Sequence, residues 1–429
     1  MSTNPAGLVA RDAQAIWHPF TPLVGLRPPL EVVRAEGAYL YTAGGRRILD
    51  AIGSWWVNLH GHAHPHIARA VADQAHQLEH VIFAGFTHAP AVHLAERLLA
   101  ILPPNQAKVF YSDNGSTANE VALKMACQYF YNRGQHRPRI IAIEGAYHGD
   151  TFGAMSVGDP SPFNAPFRPY LFEVDFIPFP TPENEAEVVA QFDRLTATGQ
   201  VGAFIYEPLV QGASGMRMYP AALLDQLVGL AQARGVLCIA DEVMTGFGRT
   251  GKLFASAHLA HQPDIMCLSK GITGGFLPLG ATTCTAEVQA AFHSGDLMKT
   301  FFHGHSYTAN PLACAAGNAS LDLLLADACA QQMARIEQQN RAFAQRISQL
   351  YPARVRHVRT LGVILALEVA QSGDTGYFNE ARNSLYYHFL DKNVLLRPLG
   401  NVVYLLPPYC ITDQDLAQVY TVIEEWLGS

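Results

Sequence analysis

Two short apolar runs constrain this chain more than anything else in it. Val236 to Ala240 runs into the acidic pair Asp241-Glu242, and Ile265 to Leu268 runs into Ser269-Lys270. Neither run alternates, so each reads as a strand buried on both faces, as in the parallel sheet of an α/β protein. Such sheets carry their sites at the carboxyl ends of the strands, where Asp241 and Lys270 fall.

The chain is long enough for this architecture. Its 429 residues are 49% hydrophobic and only 15% charged, which suits a deep core and excludes a disordered or coiled-coil protein. A net charge of -7 with no basic cluster speaks against nucleic acid or an anionic membrane surface as partner. No uncharged apolar run reaches membrane-spanning length, and the first residues lack the pattern of a secretory signal. The seven cysteines are scattered without a C-x-x-C pair, as expected of reduced core thiols in a cytoplasmic protein.

Along the chain, Glu31–Ala35, Ala38–Thr42 and Arg47–Asp50 read as a small meander turning at Gly44-Gly45. His60, His62, His64 and His66 alternate, but no carboxylate or cysteine beside them completes a metal set, so a polar turn is expected there. Helical spacing covers Ile67–Leu78 and Pro90–Ile101. A strand at Val109–Tyr111 turns through Asp113–Ser116 into a helix, Asn119–Phe130. Arg139–Ile143 and Val201–Tyr206 are further strands, separated by a Pro- and aromatic-rich loop at 158–184. Leu223–Arg234 is a helix broken by Gly235. Beyond Lys270 come another strand, helices at Leu312–Leu325 and Cys329–Leu350, and a closing segment. That segment holds Leu361–Val369, Glu380–Asp391, Val394–Arg397 and Val402–Leu406. The expected fold is α/β, a large domain with a mixed sheet over residues 66–326. A small α+β domain is expected from both chain ends, 1–65 and 327–429.

An aspartate and a lysine on neighbouring strand ends suit pyridoxal phosphate chemistry. The amine forms a Schiff base with the aldehyde, and the carboxylate keeps the pyridine nitrogen protonated. Gly115 and Ser116 open a helix, where free N–H groups, a hydroxyl and the positive dipole end suit a phosphate; plain capping by Asp113 or Ser116 is the alternative. Tyr147 and His148 follow a strand end, where an aromatic stacks on a flat ring or merely packs.

Taken together, Asn114-Gly115-Ser116, Tyr147-His148-Gly149, Glu207-Pro208, Asp241-Glu242 and Lys270 resemble, in order and spacing, the class III aminotransferases of PLP fold type I. The resemblance covers practically the whole chain. WHPFTP, SWWVNLHGH, YHGDTFGAMSVGD, VQGASGMRMY, DEVMTGFGRTGKLFA and RPLGNVVYLLPPY narrow it to the branch that aminates 8-amino-7-oxononanoate in biotin synthesis, with S-adenosylmethionine as default donor. The resemblance implies that Lys270 holds the cofactor and shuttles the proton, and that Asp241 bonds the pyridine nitrogen. Gly115 and Ser116 hold the phosphate, completed by His305 and Ser306 of a second subunit in an obligatory homodimer. It further implies Tyr147 against the ring or cleft, Trp55 along the acceptor's aliphatic chain and Gly304 beside the substrate. Arg397 pairs with the acceptor's distal carboxylate and Phe20 stands at the donor site. Core packing for Trp55 and a structural ion pair for Arg397 are the competing roles.

Three departures stand out. Phe20 occupies a position expected to be tyrosine, His305-Ser306-Tyr307 replaces Pro-Thr-Phe, and Met244 replaces the glutamine common after Asp-Glu-Val. The first two are closer to members that use lysine as donor. A transaminase for another ω-amine, and a cofactor-free scaffold on the same fold, are weaker readings. Trp55-Trp56 counts against the first, and intact Lys270 with Asp241 against the second.

Overall fold

A computed structural model describes residues 7–370, 379 and 381–429. Its strands in chain order are β1 (Val32–Glu36), β2 (Tyr39–Thr42), β3 (Arg47–Asp50), β4 (Gln106–Ser112), β5 (Arg139–Ile143), β6 (Asp175–Ile177), β7 (Val201–Tyr206), β8 (Val210–Gln211) and β9 (Arg217–Met218). There follow β10 (Leu237–Asp241), β11 (Ile265–Leu268), β12 (Gly280–Thr285), β13 (Val355–Leu361), β14 (Ile364–Val369), β15 (Val394–Leu395) and β16 (Val402–Leu405).

Seven strands form the main sheet in the order β4-β12-β11-β10-β7-β5-β6. β12 runs antiparallel to both its neighbours, and the other pairings are parallel. Side chains of β10 and β11 alternate between two apolar layers. Ile239, Ile265 and Cys267 face the layer of Val121, Ala122 and Met125, from the helix Gly115–Asn132. Cys238, Ala240, Met266 and Leu268 face the opposite layer, with Leu224, Leu227 and Val228 of the helix Ala221–Ala233. Both faces are covered, which is why these runs are apolar throughout. Gly235, at φ +65°, closes that helix in the left-handed conformation, and Val236 N–H returns to Ala231 O at 2.9 Å.

The expected meander forms, with Gly45 at φ +79°, and β15 joins it in parallel beside β3. β13, β14 and β16 make a separate antiparallel sheet.

Three segments differ from the sequence reading. The loop at 158–184 contains a 3-10 turn, Ala165–Tyr170, and the edge strand β6; three residues are too few for an alternation to show. The expected strand Leu361–Val369 is β14 with the turn before it: β13 ends at Leu361, the chain turns at Gly362, φ +55°, and β14 begins at Ile364. The helix Asp413–Gly428, started by a capping box between Thr412 and Asp415, adds a last element. Of the expected helix Glu380–Asp391, residues Ala381–Asp391 are helical, and Glu380 lies outside the described residues. No single described helix is long and apolar enough to cross a membrane.

Candidate active site

Asp241 ends β10 opposite Cys267 of β11, and Lys270 follows three residues after Cys267. The Asp241 carboxylate is buried at 4% exposure. Asn119 Nδ2 donates to its Oδ2 at 2.8 Å, and Val243 N–H donates to its Oδ1 at 3.1 Å. His148 Nδ1 lies 2.7 Å from Oδ2, and since a carboxylate only accepts, that nitrogen carries the proton. Among the described residues, His148 Nε2 and Asn119 Oδ1 are buried and find no hydrogen-bond partner. The carboxylate is therefore held rigidly at the strand end, in a pocket whose polar capacity is not used up by the protein itself.

Lys270 opens the 3-10 turn Lys270–Thr273 at φ +44°, a left-handed conformation that a lysine adopts only when its surroundings hold it there. Its Nζ lies 4.4 Å from the centroid of Trp56. Desolvation pushes its amine down to about 8, against the pull of Asp241 and Glu207. About a tenth is thus neutral at pH 7, far more than for a solvated lysine, and only a neutral amine takes up a proton.

The helix Gly115–Asn132 presents its N-terminus to the same strand ends. Asn114 caps it, accepting from Thr117 N–H at 3.0 Å, and its first turn carries no acidic residue. A Cβ on Gly115 would come within 2.7 Å of Val243 Cγ1, and one on Gly149, at φ +129°, within 2.2 Å of Ser116 Oγ. The cradle is thus bare backbone plus one hydroxyl, an anion site at a helix N-terminus. Ser116 Oγ accepts from Asp150 N–H at 3.2 Å, and the Tyr147 hydroxyl donates to Asp150 Oδ2 at 3.0 Å. Glu207 accepts from Tyr147 N–H at 3.0 Å and Gly212 N–H at 2.9 Å, and burial raises its carboxyl to about 7.

Trp55, Phe20 and Arg397 meet at the mouth. Trp55 is 39% exposed, with Phe20 edge-on at 5.6 Å and the Arg397 guanidinium 4.8 Å from its ring. Phe163 adds a second edge contact to Phe20 at 6.3 Å. Arg397 makes no ion pair among the described residues. Gly304, His305 and Ser306 lie apart, in the loop after Thr300, which Lys124 fastens to the middle of the Gly115–Asn132 helix through Phe302 O at 3.2 Å. Within the protomer neither His305 nor Ser306 bonds to Gly115 or Ser116. Met244, the residue in place of glutamine, is buried at 5% exposure.

Sequence reasoning missed Asn119, from another element, and Val243 and Asp150, which lie beside residues it did single out but carry no signal of their own. It also missed Arg249, whose fully buried guanidinium donates to Pro407 O at 2.9 Å and to Trp56 O and Asn58 O, both at 3.1 Å. An arginine after Gly-Phe-Gly looks like any solvated loop charge, and only the tertiary structure buries it. Glu242 is likewise structural, accepting from Ser256 N–H at 2.6 Å and from Ala255 N–H at 3.0 Å. Each of the four alternating histidines has an ordinary partner. His60 faces Ser320, His62 faces Asp50, His64 caps the helix Pro65–Gln77 and His66 faces Asp322. No metal-binding group occurs among the described residues.

A buried strand-end carboxylate, a desolvated lysine on the next strand and an anion cradle define an aminotransferase of the open α/β sheet type. The chain belongs to the class III aminotransferases: the model of that family matches residues 24–427. It is similar to the adenosylmethionine-8-amino-7-oxononanoate aminotransferase of Synechococcus elongatus, 51% identical over 96% of this chain and 98% of that one. The enzyme of the same name from Geobacter sulfurreducens is 40% identical over 94% of each. Among solved structures, that of the Methanocaldococcus jannaschii enzyme of this name superposes with a TM-score of 0.90 at 34% identity, covering 97% and 98% of the two chains. An amine transaminase from an uncultivated Pseudomonas species, in its PLP-bound form, also gives 0.90 at 31% identity, covering 96% and 97%. The residues here fit that cofactor: a fixed carboxylate for a ring nitrogen, bare N–H groups for a phosphate, a low-pKa amine and unpartnered buried polar atoms between them.

Proposed function

We propose that this enzyme transfers an amino group to 8-amino-7-oxononanoate, giving 7,8-diaminononanoate for biotin synthesis, with S-adenosylmethionine as donor and pyridoxal phosphate as cofactor. The observation that carries the acceptor assignment is the Arg397 guanidinium stacked on half-exposed Trp55. An arginine that pairs with no carboxylate among the described residues, beside an apolar ring, suits an aliphatic chain ending in a carboxylate.

When bound, pyridoxal phosphate supplies an electron-accepting ring and the carbon that carries the amino group between donor and acceptor. Asp241, held by Asn119 and His148, would hold the ring nitrogen and favour its protonated form. Gly115 and Ser116 would hold the phosphate at the helix N-terminus. Lys270, its amine lowered to about 8 by desolvation, would carry a proton between the substrate carbon and the cofactor carbon that bears the amino group. Tyr147, positioned through Glu207 and Asp150, would stack against the ring or line the substrate cleft.

The same reading makes the enzyme a homodimer in which His305 and Ser306 reach the partner's phosphate site. The exposed Phe302 and Tyr307 of that loop support it, since apolar side chains at 66% and 65% exposure call for a covering surface. It divides the chain into a cofactor-holding body, 66–326, and a smaller one from 1–65 and 327–429. That division is supported by β15 completing the sheet begun by β1 to β3. All seven cysteines are free, consistent with a cytoplasmic enzyme.

Lysine as donor is the second reading, favoured by Phe20, which offers no hydroxyl to a polar donor. Single donors added to the holoenzyme decide between them. S-adenosylmethionine is expected to bleach the visible cofactor band and lysine to leave it. The reduced enzyme should then recover its colour with 8-amino-7-oxononanoate. Bleaching by lysine alone would reverse the donor assignment and leave the acceptor intact.

A further inference from the structure

Gly53, Ser54, Trp55 and Trp56 all lie at positive φ: +56°, +44°, +68° and +74°. They form a short left-handed turn, a conformation that L-residues with side chains avoid. Trp55 turns toward the mouth, against Phe20 and Arg397. Trp56 turns inward, under Lys270 Nζ and with its Nε1 donating to the Tyr404 hydroxyl at 3.0 Å. The unusual backbone thus gives two adjacent tryptophans two separate duties.

What holds the turn is buried beneath it. Asp50 is fully buried, and its Oδ1 accepts from Ile52 N–H at 3.1 Å. Its Oδ2 accepts from Ser54 Oγ at 2.7 Å and faces His62 Nε2 at 2.9 Å. Behind it, Asn58 Nδ2 lies 3.3 Å from His62 Nδ1, and Asn58 Oδ1 accepts from Gly61 N–H at 2.8 Å. At the far end Arg249 holds Trp56 O and Asn58 O. The backbone of Asp50 serves the pairing of β3, while its carboxylate bonds to the turn and His62 and its charge favours the buried Arg249 guanidinium.

We propose that Asp50 is a positioning residue for acceptor recognition, acting through the left-handed turn Gly53–Trp56 to aim Trp55 at the Arg397 side of the cleft. This rests on the acceptor reading given above. The carboxylate touches no substrate-facing group itself, so its removal should act on one substrate more than the other.

The test compares Asp50→Ala, Asp50→Asn and Ser54→Ala as holoenzymes, and follows tryptophan fluorescence and near-ultraviolet circular dichroism of the cofactor-free proteins. Asp50→Ala is expected to raise KM for 8-amino-7-oxononanoate about tenfold or more while the donor KM changes less than about threefold. It should also alter the tryptophan dichroism and weaken the fluorescence change on adding the acceptor. Asp50→Asn keeps an acceptor for Ile52 N–H and a polar group for Ser54, and should recover most of the loss. If Asp50→Ala does not fold, Ser54→Ala is judged by the same split. Equal loss for both substrates, or no loss in a folded variant, overturns the proposal. Wild-type enzyme that fails to convert the acceptor instead overturns the acceptor reading. The dichroism of Asp50→Ala then decides alone whether Asp50 sets the turn, an unchanged spectrum refuting it.

Discussion

Lys270 is a charge kept where water is scarce, and this has a consequence for stability. Its amine falls from an ordinary 10.5 to about 8 on folding, chiefly by desolvation. Between those values the unfolded chain binds more protons than the folded one, so stability rises with pH across that window. Below about 8 the full cost is present. Cofactor-free Lys270→Met should therefore melt higher than the cofactor-free wild type at pH 7, with the gap closing between pH 8 and 10.5, while turnover is lost altogether. A lower melting temperature for the variant at pH 7 would mean that the contact with Trp56 outweighs the desolvation. At the mouth, Arg397→Ala should raise KM for 8-amino-7-oxononanoate tenfold to a hundredfold, the loss of about 1.5–3 kcal/mol of charge-assisted hydrogen bonding. Steady-state kinetics with each substrate varied in turn checks this, and an equal rise for the donor would assign Arg397 a structural role.

At the scale of elements, the site depends on how closely the helix Gly115–Asn132 approaches the loop after β10. The gap at Gly115 is set by Val243, whose Cγ1 would meet a new Cβ at 2.7 Å. Gly115→Ala should push the helix N-terminus outward and weaken cofactor binding roughly tenfold, within the range of coupled contacts. Val243→Ala in the same chain should restore most of it, since the added methyl then finds room. Equilibrium titration of the two proteins with cofactor measures both effects. If the double variant binds no better than Gly115→Ala, the glycine matters for a reason other than space.

The whole molecule carries the prediction about subunits. If Lys270 of one protomer works with His305 and Ser306 of the other, mixing two inactive homodimers should regenerate activity. In a hybrid of Lys270→Ala with a His305→Ala/Ser306→Ala chain, one site is doubly defective and the other is intact. Half the dimers are hybrids after random exchange, so about a quarter of wild-type activity should return. No recovery after verified exchange would place both residue sets in one protomer.

The sequence alone determined the sheet strands that matter and the two residues at their ends. β7, β10 and β11 are read from apolar runs, and Asp241 and Lys270 from the points where those runs stop. That is possible because burial on both faces leaves a local, unbroken mark. Gly115 and Ser116 were legible as a turn into a helix, though not the reason the glycine is required. Asn119, His148 and Val243 around Asp241, Arg249 beneath Trp56, and the left-handed turn at Trp55 were decided only by the tertiary structure. Most of these depend on residues far apart in the chain meeting in one place, as when Arg249 reaches Pro407 O or Trp56 reaches Tyr404. A hydrogen bond across some 150 or 350 positions leaves no periodicity in either segment. A positive φ at tryptophan is opposed by its own sterics, and the turn is held by the nearby buried Asp50 together with the distant Arg249.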